Sequence, residues 1–331
     1  MVTFNVVFTP GTVARLLPFA LSLLRGSGVS VRLVANGCEP AEADLLRAAA
    51  GDNERVEPHV LPGPRPAEHG LALNDLFERF ADEAHFAFAD SDVVASGDFM
   101  RTLWPPRTDE AAVFSGAPVW LTDADAVAPR GAPLLSGRQR ALHDGTPIGG
   151  SYVAIYDRTK LEPAWRAAPR GFAVHARRMV PANTRAALRA RGWDHQLLDT
   201  CRLVNLHLLL AGHSLANRVV PELHHVGGYS TGAFTTPLAQ LRTLPEIVRT
   251  RDVRRAWAAA ERRRWQRRAL REPGRRRMEE RRRVVLAHVG AVLDAVAAGD
   301  PHPPAPPTDS VEVDRRVAAL VSAIVANRPA A

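Results

Sequence analysis

The stretch Glu68-His-Gly-Leu-Ala-Leu-Asn-Asp-Leu-Phe-Glu-Arg-Phe-Ala-Asp-Glu-Ala-His-Phe-Ala-Phe-Ala-Asp-Ser-Asp-Val-Val94 decides the fold. Leu73, Phe77, Phe80 and Ala84 recur at helical spacing, so the first half reads as an amphipathic helix. His85–Ala89 is short, apolar and aromatic, which reads as a buried strand. That strand runs directly into Asp90-Ser91-Asp92. Upstream the same alternation repeats. Val2–Phe8 is a strand ended by Thr9-Pro10-Gly11, followed by a helix from Thr12 through Arg25, which Pro18 must start or kink. Val29–Ala35 is a second strand ended by Asn36-Gly37, Ala41–Ala50 a helix, and Arg55–Leu61 a third strand. Such alternation predicts right-handed βαβ units and a parallel sheet, with ligands outside the carboxyl ends of the strands. Thr9, Asn36 and Asp90 sit at those ends.

Downstream, strands are expected at Ala112–Phe114, Val119–Leu121 and Tyr152–Tyr156, then a helix from about Asp199 to Ala211. A last strand, Leu215–Val220, leads into Pro221-Glu-Leu-His-His-Val-Gly-Gly-Tyr-Ser230. From Pro237 to Gly299 the pattern is helical and arginine-rich, broken at Pro273-Gly274. PHPPAPP (301–307) reads as a stiff spacer. Asp309 and Glu312 suggest a capping box for a final helix through Ala326. The expected division is a domain over 1–236, a basic helical region over 237–300, a spacer over 301–308 and a terminal helix within 309–331.

The chain has 331 residues, 46% of them hydrophobic and 24% charged, which excludes a disordered, collagen-like or fibrous chain. Its two cysteines, Cys38 and Cys201, form no CxxC pair, so a cysteine-based zinc site is excluded. The N-terminus opens in a strand without a leader pattern, and no apolar run is long enough for a membrane span. The expectation is a cytoplasmic protein, with a peripheral membrane contact left open. The net charge of +8 is local: Arg249–Arg283 holds 16 Arg against 5 acids, leaving −3 for the rest. That segment would attract an anionic membrane surface, an acidic partner or another subunit. Its only aromatics, Trp257 and Trp265, are too few for base stacking, so nucleic acid is not the expected partner.

Two carboxylates one residue apart on a loop closing a strand can converge on one hard cation. Such a cation suits a diphosphate-bearing substrate, because it neutralises charge that grows as phosphate leaves. Asp123-Ala124-Asp125 has the same spacing and reads as a turn. The ordered set TPGT (9–12), LPFALSLL (17–24), RLVANG (32–37) and the 68–94 stretch resembles the nucleotide-sugar half of a GT-A glycosyltransferase, most closely the family 2 type. The resemblance spans roughly Val2 to Ser230. It implies a GT-A, Rossmann-like mixed α/β sheet flanked by helices, here with a C-terminal arginine-rich helical extension. It implies a nucleotide-sugar donor, a glycan or small-molecule acceptor, and Mn2+ or Mg2+ as cofactor. Gly70 and Asn74 fit the opening of the helix before the D-x-D strand. Thr9, Asn36, Asn74, Asp90 and Ser91 are the implied donor contacts, with Asp92, Asp90 and His225 as metal ligands. Asn36-Gly37 also fits a tight turn, and Asn74 an ordinary helix polar group. Gly149-Gly150-Ser151-Tyr152 stands where such enzymes contact sugar or acceptor. Gly192-Trp-Asp-His-Gln-Leu-Leu-Asp-Thr200 resembles the segment that supplies a general base, which leaves Asp199 and Asp194 as candidates. Asp199 also reads as an N-cap. The usual E-D pair is missing, so inversion and retention both stay open. Two other readings stand beside this one. A nucleotidyltransferase would want a Gly-rich basic loop after the first strand, whereas TPGTVAR is poor in Gly. A non-enzymatic anion-binding protein would be built on the arginine-rich helices, expected here as an appendage to the catalytic domain.

Overall fold

The computed structural model describes residues 1–63, 65–128, 138–148, 151–193, 197–229 and 274–327. Asp194, Gly149, Gly150, Trp257, Trp265 and the expected boundary at 236 lie outside them.

The first half forms as its pattern predicts: β1 (Val2–Phe8), α1 (Val13–Ser22), β2 (Val29–Ala35), α2 (Pro40–Ala50), β3 (Val56–Val60), α3 (His69–Arg79) and β4 (His85–Asp90). Then come β5 (Val93–Ala95), β6 (Glu110–Ser115), β7 (Val153–Asp157), α4 (Arg158–Ala167), α5 (Arg202–Leu210), β8 (Ser214–Asn217), β9 (Leu223–His225), α6 (Arg275–Ala298) and α7 (Val311–Ala326). The main sheet has seven strands in the order β8-β6-β7-β4-β1-β2-β3. Strands β3, β2, β1 and β4 run parallel, β7 is antiparallel to both β4 and β6, and β8 is parallel to β6. This is the expected mixed α/β sheet flanked by helices.

Alternation along each strand divides the core in two. Phe4, Val6 and Phe8 of β1 with Ala87 and Ala89 of β4 face one apolar layer, where Leu16 and Phe19 of α1 pack. Phe86 and Phe88 face the other, with Leu73 and Phe77 of α3 and Leu206 of α5.

Several expected boundaries move. Val119–Leu121 is a turn, in which Leu121 N–H donates to Pro118 O at 3.0 Å and Val119 N–H donates to His225 O at 2.9 Å. The helix expected from Asp199 starts at Arg202, because Cys201 is its N-cap with φ 63°. The last expected strand stops at Asn217, and His224-His225 form a strand of their own instead of a loop. At α7 the cap is Ser310, whose side chain accepts from Val313 N–H. Asp309 instead pairs with Arg281 at 2.9 Å.

The described part of the arginine-rich region is no appendage. Met278, Val285, Leu286, Val289 and Val292 of α6 and Val313, Val317, Leu320 and Ile324 of α7 belong to the same apolar layer as β1 and α1. Among the described residues no helix is long and apolar enough to cross a membrane.

Candidate metal centre

Strand β4 carries Asp90 to its carboxyl end, where the Asp90 N–H donates to Tyr152 O at 2.7 Å and ties it to the start of β7. Two residues later the chain enters β5, which pairs antiparallel with β9 so that Val93 faces His225. Val226 N–H donates to Asp92 O at 3.0 Å. This short pairing brings a histidine some 130 residues downstream against the acidic turn. The sequence offered the histidine, but not the strand that positions it.

Asp92 is fully buried. Its Oδ2 accepts N–H bonds from Gly228 at 3.0 Å and Tyr229 at 2.8 Å. The His225 Nδ1 lies 2.5 Å from Gly116 O, so that nitrogen carries the proton and Nε2 keeps its lone pair in the neutral ring. Nε2 stands 3.2 Å from Asp92 Oδ1 and 3.8 Å from Asp90 Oδ2. Asp92 Oδ1 and His225 Nε2 are buried, and beyond each other neither has a hydrogen-bond partner among the described residues. Among the described residues, Asp90, Asp92 and His225 form a group whose ligand atoms lie within 4.8 Å of one another. Buried donor atoms facing one another suit a divalent cation, and the two-oxygen, one-nitrogen set fits a borderline ion. The Tyr152 ring packs on the imidazole, centroids 4.5 Å apart, and closes one side.

The electrostatics differ within the pair. Burial raises the Asp90 carboxyl to about 7, with His225 opposing and Asp92 and Asp199 adding. Burial also works against ionised Asp92, but the imidazole and the two backbone N–H groups hold its pKa below the usual range. For His225, burial is outweighed by the Asp92 carboxylate, which raises it.

The other expected site residues divide. Asn36 is buried and saturated by Ala67: Nδ2 donates to Ala67 O at 2.9 Å and Oδ1 accepts Ala67 N–H at 2.8 Å. Asn74 donates to Arg170 O and accepts from Trp165 Nε1 and Phe172 N–H. Both amides brace loops, so the protein itself supplies these hydrogen-bond partners. Gly70 allows α3 to approach residue 173, since a Cβ there would meet Ala173 Cα at 2.5 Å. Thr9 lies at the carboxyl end of β1, where its carbonyl accepts from the Thr12 hydroxyl at 2.7 Å. Ser91 is buried with an unpartnered hydroxyl. Ser151 Oγ accepts from Asn205 Nδ2 at 3.1 Å.

Asp199 is exposed, accepts the Thr200 N–H, and does not cap α5. It lies close enough to Asp90 to raise its pKa. Asp125 pairs with Arg281 and Asp123 with Arg316, so the second D-x-D, expected as a turn, braces the C-terminal helices from a four-residue helix, Asp123–Ala126, capped by Thr122. Two residues near the centre escaped sequence reasoning. His69 opens α3 between the charges of Asp92 and Asp199, with its Nε2 buried and unpartnered, and burial lowers it to about 4. Arg282 reaches the Gly228 peptide from α6. Nothing in the sequence marks either one.

No family model and no curated protein matches the chain. Among solved structures it is similar to the mannosyltransferase PcManGT from Pyrobaculum calidifontis, in complex with GDP-Man and Mn2+, at 11% identity and TM-score 0.42 over 98% of this chain and 86% of that one. It is similar to the galactosyltransferase LgtC, in complex with donor and acceptor sugar analogs, at 12% identity and TM-score 0.38 over 65% of this chain and 73% of that one. It is also similar to the inositol-1-phosphate CTP transferase from T. maritima, at 11% identity and TM-score 0.39 over 76% of this chain and 97% of that one. These likenesses concern the fold alone.

Proposed function

We propose that the chain is a metal-dependent glycosyltransferase that moves a sugar from a nucleotide-sugar donor to an acceptor hydroxyl. The observation that carries this reading is the Asp90–Asp92–His225 group at the carboxyl end of the central strands, whose buried ligand atoms face one another. A divalent cation bound there would supply positive charge against the departing diphosphate. Asp92 and His225 would hold it, with Asp90 shared between the metal and the donor ribose. Asp90 ionises late, so a cation is what would keep both carboxylates charged at neutral pH. Asp199, exposed and near enough to Asp90 to raise its pKa, would accept the proton that the acceptor hydroxyl loses. Asp194 is the alternative for that role.

A thermal-shift panel of nucleoside diphosphates and nucleotide-sugars, with and without Mn2+, tests the reading. A ligand at 100 times its Kd adds about 2.7 kcal/mol of stability. Stabilisation should require Mn2+ together with a nucleotide, and Asp92→Asn should remove it. Turnover of a nucleoside triphosphate with a sugar phosphate, and none of a nucleotide-sugar, would make the chain a nucleotidyltransferase instead.

A further inference from the structure

The arginines that open α6 do not share one environment. Arg276, Arg277 and Arg283 are exposed, and Arg283 pairs with Glu280 on its own helix. Arg281 is buried between Asp125 and Asp309, at 2.7 and 2.9 Å. Arg282 is half-buried, and among the described residues no carboxylate lies within ion-pair distance of it. Its Nε is buried without a partner, and its guanidinium stands 5.7 Å from the Trp120 ring centroid. The Trp120 Nε1–H donates to Gly227 O at 3.1 Å, so this platform is part of the glycine turn. Arg282 Nη2 lies 2.7 Å from the point a Cβ on Gly228 would occupy, and Gly228 has φ +104°. The peptide beneath the guanidinium is therefore the one whose N–H tethers Asp92. The acids whose charge Arg282 feels are Glu279 and Asp92.

Partly burying a guanidinium without an anion is unfavourable, and guanidinium geometry matches phosphate oxygens. Two carboxylates and a neutral imidazole come close to neutrality on taking up a divalent ion. A diphosphate arriving on that ion then brings charge that nothing in the centre offsets. We propose that Arg282 is the anion-binding side chain of the centre and takes the phosphate oxygens of a ligand carried on the metal. The inference rests on the metal-centre reading above. It makes the basic helix part of the ligand site and Gly228 the gap that admits the guanidinium.

Calorimetry on the full chain tests this with inorganic pyrophosphate, first Mn2+ alone and then pyrophosphate at saturating Mn2+. Arg282→Gln should weaken pyrophosphate about ten- to a hundredfold, the range for losing hydrogen bonds to a charged group. Binding of Mn2+ alone should stay equal or tighten, because a cation near Asp92 has gone. Arg282→Lys should recover part of the affinity, and Arg283→Gln should change it less than about twofold. The inference is overturned if Arg282→Gln binds pyrophosphate as the wild type does, or if Arg283→Gln weakens it equally. Asp92→Asn separates the two failures. Loss of Mn2+ binding there beside a silent Arg282→Gln keeps the centre and removes this role. Unchanged Mn2+ binding in Asp92→Asn removes both.

Discussion

One backbone carbonyl sets the chemistry of His225: with Nδ1–H committed to Gly116 O, Nε2 is the nitrogen that faces the two carboxylates. Asp92→Asn should therefore abolish Mn2+ binding in a titration of the full chain, while Asp125→Asn keeps it. Equal loss in both would mean that the choice between the two acidic pairs has no basis. Asp90 makes a pH prediction. Its carboxyl moves from an ordinary 3.8 to about 7, so the folded state holds that proton more tightly than the unfolded one. Its contribution to stability is lost as pH rises from about 4 to about 7. Asn at 90 mimics the protonated acid. The melting-temperature gain of metal-free Asp90→Asn over the wild type should grow across that interval and level off above it, and saturating Mn2+ should reverse it. A gain flat with pH would mean that Asp90 ionises normally. For Asp199→Asn, donor affinity by calorimetry should hold while kcat falls about 10²–10⁴-fold. Transfer that survives in that variant would pass the role to Asp194. At this scale the D-S-D turn and His225 were legible, because a strand end and a glycine-flanked histidine leave marks in sequence. The loop-bracing roles of Asn36 and Asn74 were not legible, since the partners of each amide lie 31 and 91 to 98 residues away.

The βα alternation of the first ninety residues was legible because each element has a single hydrophobic period and a turn residue at its end. Strands β5 and β9 were not, being three residues each and defined only by their pairing. The ionic brace of α6 was equally hidden: Arg281 is one arginine among many, and Asp125 looked like a turn residue. That brace predicts that Arg281→Ala destabilises the chain by ~2 kcal/mol, discounted because Asp309 is 39% exposed. Chemical denaturation would measure it, and an unchanged midpoint would reduce the brace to a surface contact.

Among the described residues, the C-terminal helices join the apolar layer that holds β1 and α1, with α7 packed on β5 and β9. Burying each aliphatic side chain of α6 and α7 contributes about 1.5–3 kcal/mol. Nine such residues together contribute an amount comparable to the whole ~5–15 kcal/mol by which a domain is stable. A chain ended at residue 236 should therefore be insoluble or bind an apolar dye, instead of folding as a separate catalytic unit. A soluble truncation with a cooperative melt would restore the helices to the status of an appendage. Composition and charge pointed the other way because they register how basic the segment is, and not that its apolar stripe matches the sheet.

The two N–H groups on Asp92 Oδ2 have one more consequence, which concerns denticity. An oxygen already holding the Gly228 and Tyr229 amides cannot also embrace an ion, so Asp92 is confined to coordination through Oδ1 alone. Calcium favours six to eight oxygens and often a two-handed carboxylate, whereas manganese accepts nitrogen and lower crowding. A cation taken up on the proposed centre would therefore be filtered by the turn. In competition titrations Ca2+ should displace Mn2+ only at a large excess, and equal affinity for the two ions would show that the turn does not select between them.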